Sequence, residues 1–170
     1  EIELVRLAPV LFRTLQALPE PVFRAVTFRA AEMGRGMIEA VADPDIRTME
    51  DLDRYCYFVA GTVGHMLTAM LYARHSLSSR RRAILNTTAE NFGKCLQYVN
   101  IIKDSGPDWR AGRRFLPAQL IQETGCTLDD FFAGKDRAAA DHVYTRLLNR
   151  AKELSLDARR YILALPRRAF

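Results

Sequence analysis

Three oxygen-bearing side chains recur at four-residue intervals in the second half of the chain. Asn100, Asp104 and Asp108 lie along one helical stripe if the helix persists that far, and Gln97 lies on the same side one turn earlier. A carboxamide and two carboxylates are hard oxygen ligands of the kind that suits Mg²⁺. The alternative is a solvated helix end, although the helix dipole disfavours an aspartate there by about 0.3–1 kcal/mol. The spacing leaves both readings open, a magnesium site and a plain helix terminus.

A second segment with the residue types for chemistry runs from Tyr55 to His65. It contains Gly61 and Gly64, each of which costs a helix about 1 kcal/mol relative to alanine. Such glycines indicate a kink, room for a ligand, or the close approach of another helix, and the composition favours helix packing. Tyr55 is either a core aromatic residue or a proton donor. Cys56 has no Lys or His nearby in the sequence to lower its pKa, so it is predicted to be buried.

Long helices must position these residues, because apolar side chains recur at helical spacing in every long segment. We expect long helices over residues 3–18, 21–41, 48–75, 83–103 and 135–165, and short helical segments near 117–123 and 127–130. Thr48 and Asp51 form a variant of the capping box at the start of the third helix. The fourth helix is expected to stop at Ser105-Gly106-Pro107, before a loop that reaches residue 116. The prediction is a single all-α domain over residues 1–170.

Composition and charge exclude several other classes of protein. Of the 170 residues, 49% are hydrophobic and 26% are charged, which is typical of a folded globular domain. No stretch approaches the roughly 20 uninterrupted apolar residues of a membrane span. Three widely spaced cysteines without a CxxC pair exclude a disulfide scaffold and suit the cytoplasm. The net charge is +5, but the basic residues are scattered and not interleaved with aromatic residues, so no nucleic-acid partner is predicted.

Two motifs stand in a specific order and spacing. Tyr55–Gly64 reads YCYFVAGTVG, and Leu96–Asp104 reads LQYVNIIKD, followed by Asp108 and by GRRFLP at Gly112–Pro117. These motifs resemble the two signatures of squalene and phytoene synthases, with the bacterial squalene-synthase branch the most similar. The helical pattern is compatible with this family along essentially the whole chain. The resemblance implies a helical bundle of the isoprenoid synthase type.

The resemblance implies head-to-head condensation of two prenyl diphosphates, and farnesyl diphosphate is the first candidate substrate. In such a reaction Mg²⁺ draws off diphosphate and leaves an allylic carbocation. The implied roles are a catalytic tyrosine, metal ligands and substrate-binding residues: Tyr55 is catalytic, Asn100, Asp104 and Asp108 bind metal, and Gln97, Lys103 and Arg113 bind substrate. NADPH is a further implied cofactor if the product is squalene. A cytoplasmic location, with or without peripheral membrane association, is compatible with this reading, and the oligomeric state stays open.

The chain departs from the family pattern in two respects. Lys103 stands where the family commonly has Arg, which keeps the charge but forfeits bidentate geometry. The family's earlier aspartate-rich motif has no counterpart before Tyr55, because Glu32 and Glu39 are too far apart and the acidic residues after them lie in a predicted loop. We therefore expect an incomplete bundle that needs upstream residues for activity. The alternative is a non-catalytic helical protein that binds or assembles on the same fold.

One geometric expectation follows from the two motifs together. If they lie on neighbouring helices of a bundle, Asn100, Asp104 and Asp108 face an interior cleft opposite Tyr55. A carboxylate stripe on the outer surface, away from Tyr55, would contradict the site assignment.

Overall fold

Helices account for 81% of the chain in the computed structural model, which describes residues 2–166 and shows no strand among them. The predicted all-α fold is confirmed. The helices, in chain order, are α1 (Ile2–Gln16), α2 (Glu20–Ala42), α3 (Met49–Cys56), a π-helical turn (Tyr57–Gly61), α4 (Thr62–Arg74), α5 (Ser79–Arg110), α6 (Ala118–Gln122), α7 (Leu128–Phe132) and α8 (Arg137–Ala164).

The start of α3 is fixed by a reciprocal pair of hydrogen bonds. The backbone N–H of Asp51 donates to Oγ1 of Thr48 at 3.1 Å, and the backbone N–H of Thr48 donates to Oδ2 of Asp51 at 2.9 Å. The predicted cap is therefore a complete capping box. It sets where α3 begins, six residues before Tyr55.

The helix that begins with α3 widens after Cys56 into the π-helical turn and then continues as α4. Single π-turns inside α-helices are frequent at functional sites. The glycines of this region serve close packing, as the composition indicated. A Cβ atom at Gly64 would lie 2.0 Å from the carbonyl oxygen of Ala89, and one at Gly93 would lie 2.0 Å from the carbonyl oxygen of Ala60. The backbones of α4 and α5 therefore pack directly on each other.

The 32-residue helix α5 is the centre of the fold and packs against α4 on one side and α8 on another. Buried residues from α3, α5 and α8 form most of the larger core cluster; its largest fully buried side chains include Leu52, Tyr98, Val143, Leu147 and Leu154. A smaller cluster joins α4, α5 and the end of α8.

The expected end of the fourth helix at Ser105-Gly106-Pro107 is wrong, because α5 continues to Arg110. Pro107 lacks an N–H, so it removes one bond to the carbonyl four residues earlier, that of the exposed Lys103. Contacts with other elements hold the last turns in place. Ser105 Oγ is 2.8 Å from Oη of Tyr144, and the ring of Trp109 stacks on Phe132 with centroids 4.3 Å apart.

One helix among the described residues, Met49–Arg74, is long and apolar enough to cross a membrane by length and composition alone. Core helices of other proteins meet the same criterion, and this helix packs against α2 and α5. It is weak evidence for a membrane span.

Candidate functional site

Tyr55 lies at the end of α3, where the loop after α5 folds back against it. Its ring stacks on Phe115 with centroids 5.0 Å apart and an interplanar angle of 28°. Burial raises the pKa of Tyr55, the negative charge of Asp108 raises it further, and Arg113 opposes the rise. Tyr55 therefore keeps its phenolic proton at neutral pH, and Asp108 and Arg113 lie close enough for their charges to act on it.

Asp108 and Arg113 form the charged pair of this site. Nε and Nη2 of Arg113 donate to Oδ1 of Asp108 at 2.9 and 2.7 Å, and the backbone N–H of Arg113 donates to the Asp108 carbonyl oxygen at 2.8 Å. The Asp108 side chain is 14% exposed, whereas that of Arg113 is 57% exposed. The carboxylate is thus largely enclosed, while the guanidinium remains accessible to a ligand from solvent.

The remaining candidate metal ligands lie on the same stripe of α5, because the helix continues past Asp108. Their side chains are open to solvent. Asn100 is exposed, and the Asp104 carboxylate is 46% exposed with Nζ of Lys103 at 3.4 Å. The expectation of an interior cleft therefore fails for Asn100 and Asp104, and only Asp108 is enclosed. The reason is that this face of α5 is uncovered among residues 2–166, where its apolar residues Leu96 and Val99 are also more than half exposed.

The donor set has the chemistry that Mg²⁺ requires, namely one carboxamide and two carboxylates on one helical stripe. Within the part of the chain that the structure describes, no group of three or more His, Cys, Asp or Glu side chains is arranged to hold a metal ion. Asn100, Asp104 and Asp108 therefore offer oxygen donors of the kind that Mg²⁺ takes, but among the described residues they offer them from one side only. Mg²⁺ tolerates such a site because it keeps several waters and shares its shell with substrate phosphates.

Two cavities flank the helices that carry these residues. The first, about 510 Å³, lies between Tyr55, Phe115 and the end of α2, and Arg113 contributes positive charge to its wall. The second, about 530 Å³, is mainly apolar and is lined by residues of α4, α5 and α8, among them Leu67 and Phe92. Gln97, the remaining candidate substrate contact, is partly buried on α5.

A partly buried ionic cluster near Tyr55 was not assigned a functional role from the sequence. The carboxylate of Asp53 accepts from Oη of Tyr98 at 2.5 Å, from Nζ of Lys94 at 3.2 Å, and from Nη2 and Nε of Arg150 at 2.5 and 3.3 Å. Burial would raise the pKa of Asp53, but the hydrogen bonds from Arg150 and Tyr98 and the charge of Lys94 hold it below its usual value. These four residues are called the Asp53 cluster below. The sequence signals are weak: Lys94 and Tyr98 are four residues apart, and Asp53 precedes Tyr55 by two.

The family model for squalene/phytoene synthase matches residues 3–170. A squalene synthase of Gibberella zeae is 30% identical over 135 residues, which cover 76% of this chain and 29% of the relative. A 15-cis-phytoene synthase of Pantoea ananas is 30% identical over 134 residues, which cover 79% of this chain and 41% of the relative. The chain therefore spans less than half the length of these curated relatives.

The fold is also similar to that of a protein whose crystal structure is known. The crystal structure of squalene synthase HpnC from Alicyclobacillus acidocaldarius superposes with a TM-score of 0.65 at 22% sequence identity, over 95% of this chain and 56% of that one. At this identity the likeness speaks for the fold, and it confirms the helical architecture of the isoprenoid synthase type.

Proposed function

Because this chain belongs to the squalene/phytoene synthase family, we propose that it carries active-site residues of an enzyme that condenses two prenyl diphosphates head to head. The observation that carries the proposal is the meeting of Tyr55, Asp108 and Arg113 at the end of α5. These residues come from both family signatures, and the fold brings them together across more than 50 residues of sequence. The substrate proposed first is farnesyl diphosphate.

In this proposal the charged residues of the site bind the diphosphate group. Arg113, more than half exposed, offers two N–H donors that can turn from Asp108 to a diphosphate oxygen. Lys103 adds a second positive charge at the exposed side of the stripe. Asn100, Asp104 and Asp108 would hold Mg²⁺, and that ion when bound supplies positive charge to the departing diphosphate.

The proposed reaction breaks the bond between the first carbon of one prenyl chain and its diphosphate oxygen. The electron pair leaves with the diphosphate, the resulting allylic cation forms a carbon–carbon bond with a double bond of the second chain, and a proton is lost. Tyr55 contributes its aromatic face and its neutral phenol, which offer negative electrostatic potential to a nearby cation. Its contact with Phe115 fixes the plane of the ring during this step.

The second candidate is a non-catalytic helical protein on the same fold. The observation in its favour is that the described residues provide only one carboxylate stripe and no further acidic cluster arranged for a metal. The stripe itself favours the enzyme, because Asp108 lies in the last turn of α5, where a negative charge opposes the helix dipole, and its carboxylate is nevertheless largely enclosed.

The experiment is magnesium-dependent release of diphosphate from farnesyl diphosphate by the full protein, by which we mean residues 1–170 together with the upstream residues that we propose the activity needs. We expect release by the wild type and a loss of at least about 100-fold in Asp108→Ala, since one removed electrostatic contact at a reacting group has effects of this size. The matched control is Asp129→Ala, an exposed aspartate near the start of α7. Undiminished release by Asp108→Ala would refute the site, and a wild type without release would favour the non-catalytic reading.

A further inference from the structure

We propose that the Asp53 cluster fixes the position of Tyr55 relative to the carboxylate stripe of α5, so that Asp53 and Tyr98 are positioning residues for the reaction. This inference rests on the proposed function and adds residues that lie outside its binding site. Its basis is that the Asp53 carboxylate on α3 accepts hydrogen bonds from residues of both α5 and α8.

The hydrogen bonds of the cluster converge on a single carboxylate, and two of the three donors are buried. Tyr98 is fully buried, and Lys94 is only 7% exposed. Tyr98 and Lys94 come from α5 and Arg150 comes from α8, so both neighbouring helices are tied to the same residue of α3. Removal of the Asp53 carboxylate would leave the buried Tyr98 phenol without this acceptor and would leave the buried Lys94 ammonium only Glu90, at 3.7 Å, which costs stability although Asp53 itself is 25% exposed.

The cluster lies behind the two functional faces. Residues two apart on a helix point about 200° away from each other. Asp53 precedes Tyr55 by two residues, and Tyr98 precedes Asn100 by two. The contact between Asp53 and Tyr98 therefore joins the sides of α3 and α5 that face each other, and Tyr55 and Asn100 lie on the sides turned away from it. A hydrogen bond between the facing sides sets the rotation of both helices at once.

The cluster holds the first part of a longer helix. α3 continues through the π-helical turn into α4, and this irregular turn begins two residues after Tyr55. A rotation of α3 by about 10° would move an atom about 8 Å from the helix axis by about 1.4 Å. A displacement of roughly 1 Å in a reacting group is enough to lower a rate about 100-fold.

The test uses Tyr98→Phe, which deletes only the hydroxyl, and Asp53→Asn, which removes the charge but keeps the shape, both in the full protein. The matched control is Asp157→Asn, which removes the charge of the carboxylate that accepts from Asn91 at 2.8 Å between α5 and α8 and leaves α3 untouched. Two quantities are measured in each variant. One is kcat and KM for farnesyl diphosphate; the other is the nuclear Overhauser effect between the rings of Tyr55 and Phe115, which needs no activity.

We expect kcat to fall about 10- to 100-fold in Tyr98→Phe and Asp53→Asn, with KM within about threefold of the wild type and a weakened ring contact. The control is expected to keep kcat within about twofold and the ring contact unchanged. Wild-type kcat in a folded Tyr98→Phe, or a fall in kcat with an unchanged ring contact, overturns the proposal. If the wild type itself releases no diphosphate, the proposed function fails alone, and the ring contact still decides whether the cluster positions Tyr55.

Discussion

Substitution of Gly64 by alanine tests the packing that brings α4 and α5 together behind the site. Gly64 lies in a helix, where alanine would ordinarily add about 1 kcal/mol of stability. In this structure we expect a loss of stability instead of a gain, because the new Cβ would lie 2.0 Å from the backbone carbonyl oxygen of Ala89. Real Cβ atoms essentially never come closer than 3.0 Å to such an atom. The obstacle is backbone, so it cannot move away as a flexible side chain would. The two helices must therefore separate by about 1 Å in a close-packed interior.

The expected loss is at the upper end of the 1–3 kcal/mol typical of overpacking. The separation also disturbs the reciprocal contact of Gly93 with Ala60 across the same interface. For a protein of this size a loss of about 3 kcal/mol lowers Tm by about 6–12 °C. The assay is thermal and urea unfolding of the full protein, followed by far-ultraviolet circular dichroism.

The control for this prediction is Gly34→Ala, on α2, where nothing lies within 4 Å of the added Cβ. Here the helix propensity acts alone, so we expect a gain of about 0.5–1 kcal/mol. The two substitutions are chemically identical and differ only in their surroundings. A Gly64→Ala protein as stable as the wild type, or more stable, would refute the backbone-to-backbone packing of α4 and α5.

Three further outcomes are expected. The pKa of Asp53 lies below its usual 3.8, so the ionised carboxylate stabilises the fold above about pH 4. The difference in unfolding free energy between wild type and Asp53→Asn should therefore be constant near neutral pH and shrink as the pH falls below 3.8. A difference that does not change with pH would contradict this. Burial raises the pKa of the Cys56 thiol to about 12, so iodoacetamide at pH 8 should modify the partly exposed Cys126 before Cys56, as followed by mass spectrometry. Equal rates of modification at the two cysteines would be inconsistent with the core position of Cys56. Residues 1–170 alone should turn over no measurable farnesyl diphosphate, since one carboxylate stripe holds at most part of a magnesium cluster, and robust release by this chain would reveal a metal site elsewhere.

Much of the fold follows from local signals in the sequence. Apolar residues at helical spacing indicate every long helix, and the pair Thr48 and Asp51 marks the start of α3 correctly. The continuation of α5 past Pro107 could not be predicted, because it depends on contacts with α7 and α8 that are distant in sequence. A helix can lose one hydrogen bond at proline when tertiary contacts hold the next turn.

The site was predictable in part. The four-residue spacing of Asn100, Asp104 and Asp108 and their common stripe can be read directly from the sequence. The exposure of Asn100 and Asp104 could not, since it depends on what covers α5. The Asp53 cluster could not be predicted, because its other three members lie 41 to 97 residues from Asp53 and only Lys94 and Tyr98 are related to each other by helical spacing.

The most direct test of the proposed head-to-head condensation is the chain length of the product. The full protein would be incubated with farnesyl diphosphate and Mg²⁺, with and without NADPH, and the extract treated with phosphatase and analysed by gas chromatography and mass spectrometry. The expected result is a product with 30 carbons that is absent with Asp108→Ala, because joining two 15-carbon chains requires the site at the end of α5. Unreacted farnesyl diphosphate or 15-carbon alcohols as the only products of the wild type would contradict it.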